Sequence, residues 1–222
     1  MGLNNFSKDT SFYVVIIFIA IFGIISTIIL FCAQVNFLDD NSHYMNLGKS
    51  LYTGQGYRRI DIPGGNIEDT VAPGLPAFYS FLMSIRNNPK DLIIFKLLSS
   101  FSMWLYMIVM AYIAYKYLRI NKWAVLGISV FFFANPRIMW FASMGSTEAP
   151  FMLFCVLSVL TLFEFNRRGK KIYFWLSLSL TIIALYVKIT ALPFLFAIVL
   201  WFLINKNYKN TSIFAGTVIL AI

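Results

Sequence analysis

Apolar and polar residues follow one another along this chain in long blocks rather than in short periods. An apolar block of about 20 residues crosses a hydrocarbon core about 30 Å thick as one helix. On that measure residues 12–33 form a first span, and a polar stretch, 34–90, follows it. Further spans are predicted over 92–118, 123–141 and 150–165. The block 172–204 is too long for one ordinary span and fits two short helices meeting near Lys188 and Pro193. A seventh span begins at 212–222, and because the chain ends inside the apolar run GTVILAI, more helices are expected beyond it. The first block is too long and unbroken for a cleaved signal peptide and reads as a retained span. The predicted fold class is an all-α polytopic membrane protein of about six to seven transmembrane helices. Its large first extracytoplasmic loop carries interfacial helices.

Composition agrees, since 59% of the 222 residues are hydrophobic, more than one soluble core of this size hides. The net charge of +9 does not point to nucleic acid, because the cations collect in short loops between apolar blocks. Arg119 and Lys122 follow the second span, Arg167, Arg168, Lys170 and Lys171 the fourth, and Lys206 and Lys209 the sixth. The positive-inside rule places these loops and the N-terminus, with Lys8, in the cytoplasm and makes 34–90 extracytoplasmic, in a plasma membrane. Asp39, Asp40, Asp61, Glu68, Asp69 and Asp91 fall in or beside that loop and Glu148 on the next outer one, marking this face as the place for chemistry. Cys32 and Cys155 lie in apolar blocks and read as small hydrophobes.

The loop itself predicts two short helices. Asp39, Asp40, Asn41 and Ser42 are all capping residues, Tyr44, Leu47 and Leu51 recur at helical spacing, and Gly54 and Gly56 stop the pattern. An amphipathic helix along the membrane surface follows, on which Asp39 with His43, and Asp40 with Tyr44, share faces. Two readings of the acids stand, caps for the positive helix end or reacting groups. Arg58 and Arg59 come next, suited to lipid headgroups or to one bound phosphate. Pro73 and Pro76 then stiffen a turn before a second interfacial helix starting near Ala77.

An acid after the first span, then Tyr44, Leu47-Gly48-Lys49-x-Leu51, Gly54-x-Gly56-Tyr57 and Pro73-Gly74-x-Pro76 resemble the C-type membrane glycosyltransferases (GT-C), among them protein O-mannosyltransferases and aminoarabinose transferases. Ser-Thr-Glu-Ala-Pro at 146–150 and Lys-Ile-Thr-Ala-Leu-Pro at 188–193 are similar to later family motifs. Residues 1–222 then correspond to the family's N-terminal transmembrane module, with the 34–90 loop holding the active site. The resemblance implies inverting transfer of a sugar from a polyprenyl-phosphate donor to a lipid, glycan or protein acceptor. In that chemistry Asp40, or Asp39 upstream, is the general base. Arg58, Arg59 and Lys188 would stabilise the lipid phosphate as it leaves. Glu148 would orient a hydroxyl or simply cap its helix, and Tyr44 and His43 would line the site, His43 as a partner of Asp39 or as an interfacial residue. The sequence demands no metal or other cofactor, though some relatives use a divalent ion. Two rival functions stand beside this one: a transporter or flippase, and a non-catalytic membrane subunit. Charges gathered at span ends rather than inside spans weigh against transport.

Overall fold

The computed structural model describes residues 10–29, 31, 40–87, 93–145 and 147–221. The predictions concerning Cys32, Asp39 and Ser146 therefore lie outside the described residues. Among the described residues the protein is all-helical, apart from one isolated β-bridge between Arg58 and Ile67. Ten α-helices follow in order: α1 (Thr10–Ile29), α2 (Asp40–Tyr52), α3 (Gly74–Arg86), α4 (Ile93–Lys116), α5 (Lys122–Ala134), α6 (Pro136–Ser143), α7 (Glu148–Arg168), α8 (Lys171–Val187), α9 (Leu192–Ile204) and α10 (Tyr208–Ala221). A 3₁₀ turn, Ile189–Ala191, joins α8 to α9, where the sequence predicted two short helices to meet.

Three of these, α1, α4 and α7, are long and apolar enough to cross a membrane. Their outward sides are apolar as well: Val14, Ile17, Ile21 and Ile28 on α1, and Leu97 and Phe101 on α4, are exposed. Such a surface associates the chain with a membrane. The expected six to seven spans are thus met in length by three helices. The others are shorter, α8 at 17 residues and α5 and α9 at 13 each. At 1.5 Å per residue a 13-residue helix is about 20 Å long, short of the hydrocarbon thickness.

The third predicted span is broken. Asn135 is extended (φ −77°, ψ 107°), because a residue before proline is pushed out of the α region. Its side-chain oxygen accepts from the N–H groups of Arg137 and Ile138, so it ends α5 and caps α6 at once.

Helices α4 and α7 run in the same direction and α1 in the opposite one, and their contacts define two poles. At one, Phe12 at the start of α1 stacks on Tyr115 near the end of α4, ring centroids 3.7 Å apart, and Lys122 of α5 donates to Ser11. The same pole holds the end of α7, where Glu164 accepts from Lys116 (3.2 Å), Arg167 (2.7 Å), Arg168 (2.5 Å) and the Tyr117 hydroxyl. Midway, α7 and α8 are joined by hydroxyls, Ser158 to Ser177 (2.9 Å) and to Thr181 (2.8 Å), small residues that let two helices approach closely. Trp104 of α4 donates to the Ala20 carbonyl of α1 at 3.0 Å, beside Gly23, where a Cβ would meet both Trp104 and Phe133 at 2.8 Å.

The other pole carries α2 and α3. Each packs one face against the bundle, and α3 leaves Phe78, Phe81 and Ile85 exposed on the other. Tyr44, Leu47, Leu75, Tyr79 and Met83 are buried, and Tyr44 and Tyr79 share a cluster with Phe95 of α4 and Val187 of α8. The second of these helices starts at Gly74, three residues earlier than predicted, with Pro73 in its capping position and Pro76 inside the first turn, where a missing N–H loses no helical bond. Two bare backbones permit the packing. A Cβ on Gly48 would stand 2.9 Å from the Cβ of Tyr79, and one on Gly74 would stand 2.6 Å from the Tyr186 carbonyl oxygen.

Valine at position 74 is expected to force α3 off α8 and to destabilise the fold by about 1–3 kcal/mol. Gly127, whose added Cβ meets nothing within 4 Å, is the control, and alanine there is expected to be neutral or mildly stabilising. Thermal unfolding of the detergent-solubilised protein checks both. Equal midpoints for Gly74→Val and wild type would refute the close contact.

Candidate functional site

At the α2–α3 pole several motif residues meet. Glu148 opens α7 and Lys188 follows the last residue of α8 in extended conformation. Their side chains pair, Lys188 Nζ to Glu148 Oε1 at 2.6 Å. Each also sits where a helix end favours its charge, the acid at a positive N-terminus and the cation at a negative C-terminus. Glu148 keeps 40% of its side chain exposed and Lys188 19%, so the pair is open to a ligand. These residues are 40 positions apart and came from two separate motifs.

The N-terminus of α2 is at the same pole. Asp40 begins the helix, and Tyr44, one turn on, is buried against α3 and α4. Tyr79 of α3 stands edge-on to Phe95, centroids 4.3 Å apart at 86°. Burial raises the pKa of its hydroxyl, and the nearby Tyr44 and Glu148 add to that, so it stays a neutral donor.

Among the described residues His43 pairs with Glu68. Its Nε2 lies 2.8 Å from Glu68 Oε2, and since a carboxylate only accepts, the ring nitrogen donates. Asp39, the expected partner, is outside the described residues. Glu68 also accepts from the Thr70 hydroxyl and from the Thr70 N–H at 2.9 Å. The Thr70 hydroxyl is the main cause that brings the pKa of Glu68 from its ordinary 4.5 to about 2, helped by the Thr70 N–H and His43 and opposed by desolvation. This knot ties the 57–70 loop to α2. Further ties come from the glycine motif: Gly54 and Gly56 take φ of 74° and 80°, values that favour glycine, and the Gly56 carbonyl accepts from Ser50 at 2.8 Å. The Tyr57 hydroxyl, its pKa raised chiefly by burial, donates to the Val71 carbonyl at 2.9 Å.

The double arginine behaves differently from the pair at 148 and 188. Arg58 is exposed and bridges Ile67 through its backbone. The Arg59 guanidinium donates to Asp61 at 3.0 Å, and that bond holds the Asp61 carboxyl below its usual range. Among the described residues no contact joins either arginine to Glu148 or Lys188.

One buried cation went unnoticed in the sequence. Lys96 lies one turn inside α4, only 3% exposed, its ammonium 4.5 Å from the Phe31 ring centroid. It sits in the first turn of the helix, at the end of the second predicted span. The available signal was a lone lysine in the apolar run IIFKLL.

Below the charged pair lies an apolar cavity of about 300 Å³ between α3, α4, α7 and α8, with Phe101, Phe154, Ile183 and Tyr186 among its walls. Pro150 and Val187, near neighbours of Glu148 and Lys188 in sequence, border it. A more open cavity of about 470 Å³ surrounds Arg119 and Lys122 at the opposite pole, away from these motifs. Among the described residues no three of His, Cys, Asp and Glu gather as metal ligands would. Cys155 is a free thiol inside α7. No family model, no curated protein and no solved structure matches the chain.

The acid response of the loop follows from Glu68. Its folded pKa lies below its ordinary value, so its stabilisation is complete above about pH 4.5 and is lost as pH falls toward about 2. Glu68→Gln is expected to unfold at a lower temperature than wild type at pH 6, with the two midpoints converging near pH 2. A constant gap across that window would show that Glu68 is not held ionised by Thr70 and His43.

Proposed function

We propose that this chain is the transmembrane module of a glycosyltransferase that moves a sugar from a polyprenyl-phosphate donor to an acceptor at the α2–α3 pole. In this reading the helix bundle crosses the membrane six to seven times, the shorter helices adding crossings to those of α1, α4 and α7. The N-terminus and the basic pole are cytoplasmic, and the α2–α3 pole faces outward from a plasma membrane, where flipped lipid-linked sugars are available.

The observation that carries the proposal is the Lys188–Glu148 pair. Two motifs far apart in sequence, each singled out for this chemistry, deliver a cation and a carboxylate to one partly exposed spot above an apolar cavity. A lipid-linked sugar phosphate has matching parts: hydroxyls for Glu148, a phosphate for Lys188 and a prenyl chain for the cavity. Asp40 takes the proton from the acceptor hydroxyl as its oxygen attacks the anomeric carbon. The bond from that carbon to the phosphate oxygen breaks, and polyprenyl phosphate leaves with the electron pair. The developing phosphate charge is met by Lys188, with Arg58 and Arg59 as further cations at the rim. Single displacement inverts the anomeric centre.

Lys96 favours a second reading. A buried cation inside a span is a feature of transporters and flippases, so movement of the carrier lipid without chemistry is the alternative.

Membranes containing the full-length protein, supplied with labelled polyprenyl-phosphate sugars, test both. Asp40→Asn is expected to lower transfer at least about a hundredfold with expression and donor binding retained. Glu148→Gln is expected to weaken donor use about tenfold. No transfer by wild type, with carrier lipid still moved across the bilayer, would replace the enzyme by the transporter. Unchanged transfer in Asp40→Asn would return that carboxylate to helix capping.

A further inference from the structure

Tyr79 is 1% exposed, and its hydroxyl has no hydrogen-bond partner among the described residues. A buried hydroxyl without a partner is unfavourable, and phenylalanine would fill the same space without that penalty. Ser99 and Ser100 of α4 are also buried without partners, but a helical serine turns readily to the carbonyl of the preceding turn. A tyrosine hydroxyl stands too far from its own backbone for that. Nor can this ring swing to find a partner. Phe95 packs against it in a T-shaped contact, centroids 4.3 Å apart, and the bare backbone of Gly48 is pressed against its Cβ.

We propose that the Tyr79 hydroxyl is a ligand-binding group of this site, which donates a hydrogen bond to a sugar hydroxyl oxygen of the substrate; the assignment rests on the transferase reading above. The neighbourhood selects that acceptor. Glu148 and Tyr44 are the groups acting electrostatically on the hydroxyl, and Glu148 is already matched by Lys188 at 2.6 Å. An anionic phosphate oxygen beside Tyr79 would be repelled by the Glu148 carboxylate, whereas a neutral sugar hydroxyl is not. One such hydroxyl can give its proton to Glu148 and accept from Tyr79, so the two side chains read it as donor and acceptor together. The phosphate then falls to Lys188, the cation paired with Glu148. The pocket would discriminate sugars at that hydroxyl, because a site built to bond a hydroxyl rejects the analogue that lacks it.

The test uses the detergent-solubilised full chain, wild type and Tyr79→Phe, with two readouts. The first is the thermal midpoint without ligand, which is expected to rise by about 2–4 °C once the unpaired hydroxyl is gone. The second is the affinity for farnesyl phosphate, bare or carrying mannose, glucose, galactose or arabinose in turn. Tyr79→Phe is expected to bind the preferred sugar-bearing probe about tenfold more weakly and the bare probe as wild type does. A lowered midpoint would show that the hydroxyl has a structural partner and would overturn the assignment. Equal affinity of both proteins for every sugar-bearing probe would overturn it too and leave the transferase reading standing. Wild type that binds none of the probes would overturn both.

Discussion

The α2–α3 pole depends on one steric constraint, the wedging of α3 between α2 and α8 at backbone contact. Gly48 and Gly74 make it physically available, since any side chain at either would collide with Tyr79 or with the Tyr186 carbonyl. With α3 in that wedge, Tyr79 is pushed edge-on against Phe95 of α4, and Leu75 and Met83 close the space beneath α2. The end of α8 is drawn to α3, and Lys188 with it. The charged pair and the cavity below it are consequences of this contact, because both are built from helices that α3 holds together.

The two poles handle carboxylates in opposite ways. Glu164 is buried and surrounded by Lys116, Arg167, Arg168 and Tyr117, so each lone pair facing the bundle is taken. Such a group is saturated and serves to hold helix ends together, at a place where unpaired charge would be strongly unfavourable. Glu148 has one cationic partner on the opposite pole and stays 40% exposed. Its other oxygen accepts from the Thr147 hydroxyl at 3.2 Å, and the start of α7 favours its charge. Glu68 falls between, held by Thr70 and His43 for the sake of the loop.

The glycine-aromatic and proline-glycine motifs receive a mechanical explanation. The glycines at 54 and 56 adopt left-handed conformations that turn the chain back beneath α2. Tyr57 then reaches Val71 and closes the loop in front of α3. These residues shape the rim and need not touch a substrate. Mechanical roles of this kind explain why motif residues cluster around a site while only a few of them line it.

Much of the architecture was legible in the chain because lipid imposes a simple rule, that apolar blocks become helices and polar blocks become their ends. The blocks at 92–118 and 150–165 returned as α4 and α7 within a few residues, and the meeting of two helices at Lys188 was read correctly. Local chemistry was legible where it acts over short range, as in the stop at Gly54. The break at Asn135 was written in the Asn-Pro dipeptide but hidden by its apolar surroundings. What the sequence determined alone was the helical class, the affinity for a membrane and the separation of acids from bases along the chain. Tertiary structure decided the partners: Glu148 with Lys188, His43 with Glu68, Lys96 buried one turn inside α4, and Tyr79 enclosed without a bond among the described residues. Hydrophobic patterning is a property of neighbours in sequence, whereas a charge pair or an unpaired hydroxyl is a property of neighbours in space, set here by how closely two glycines let three helices approach.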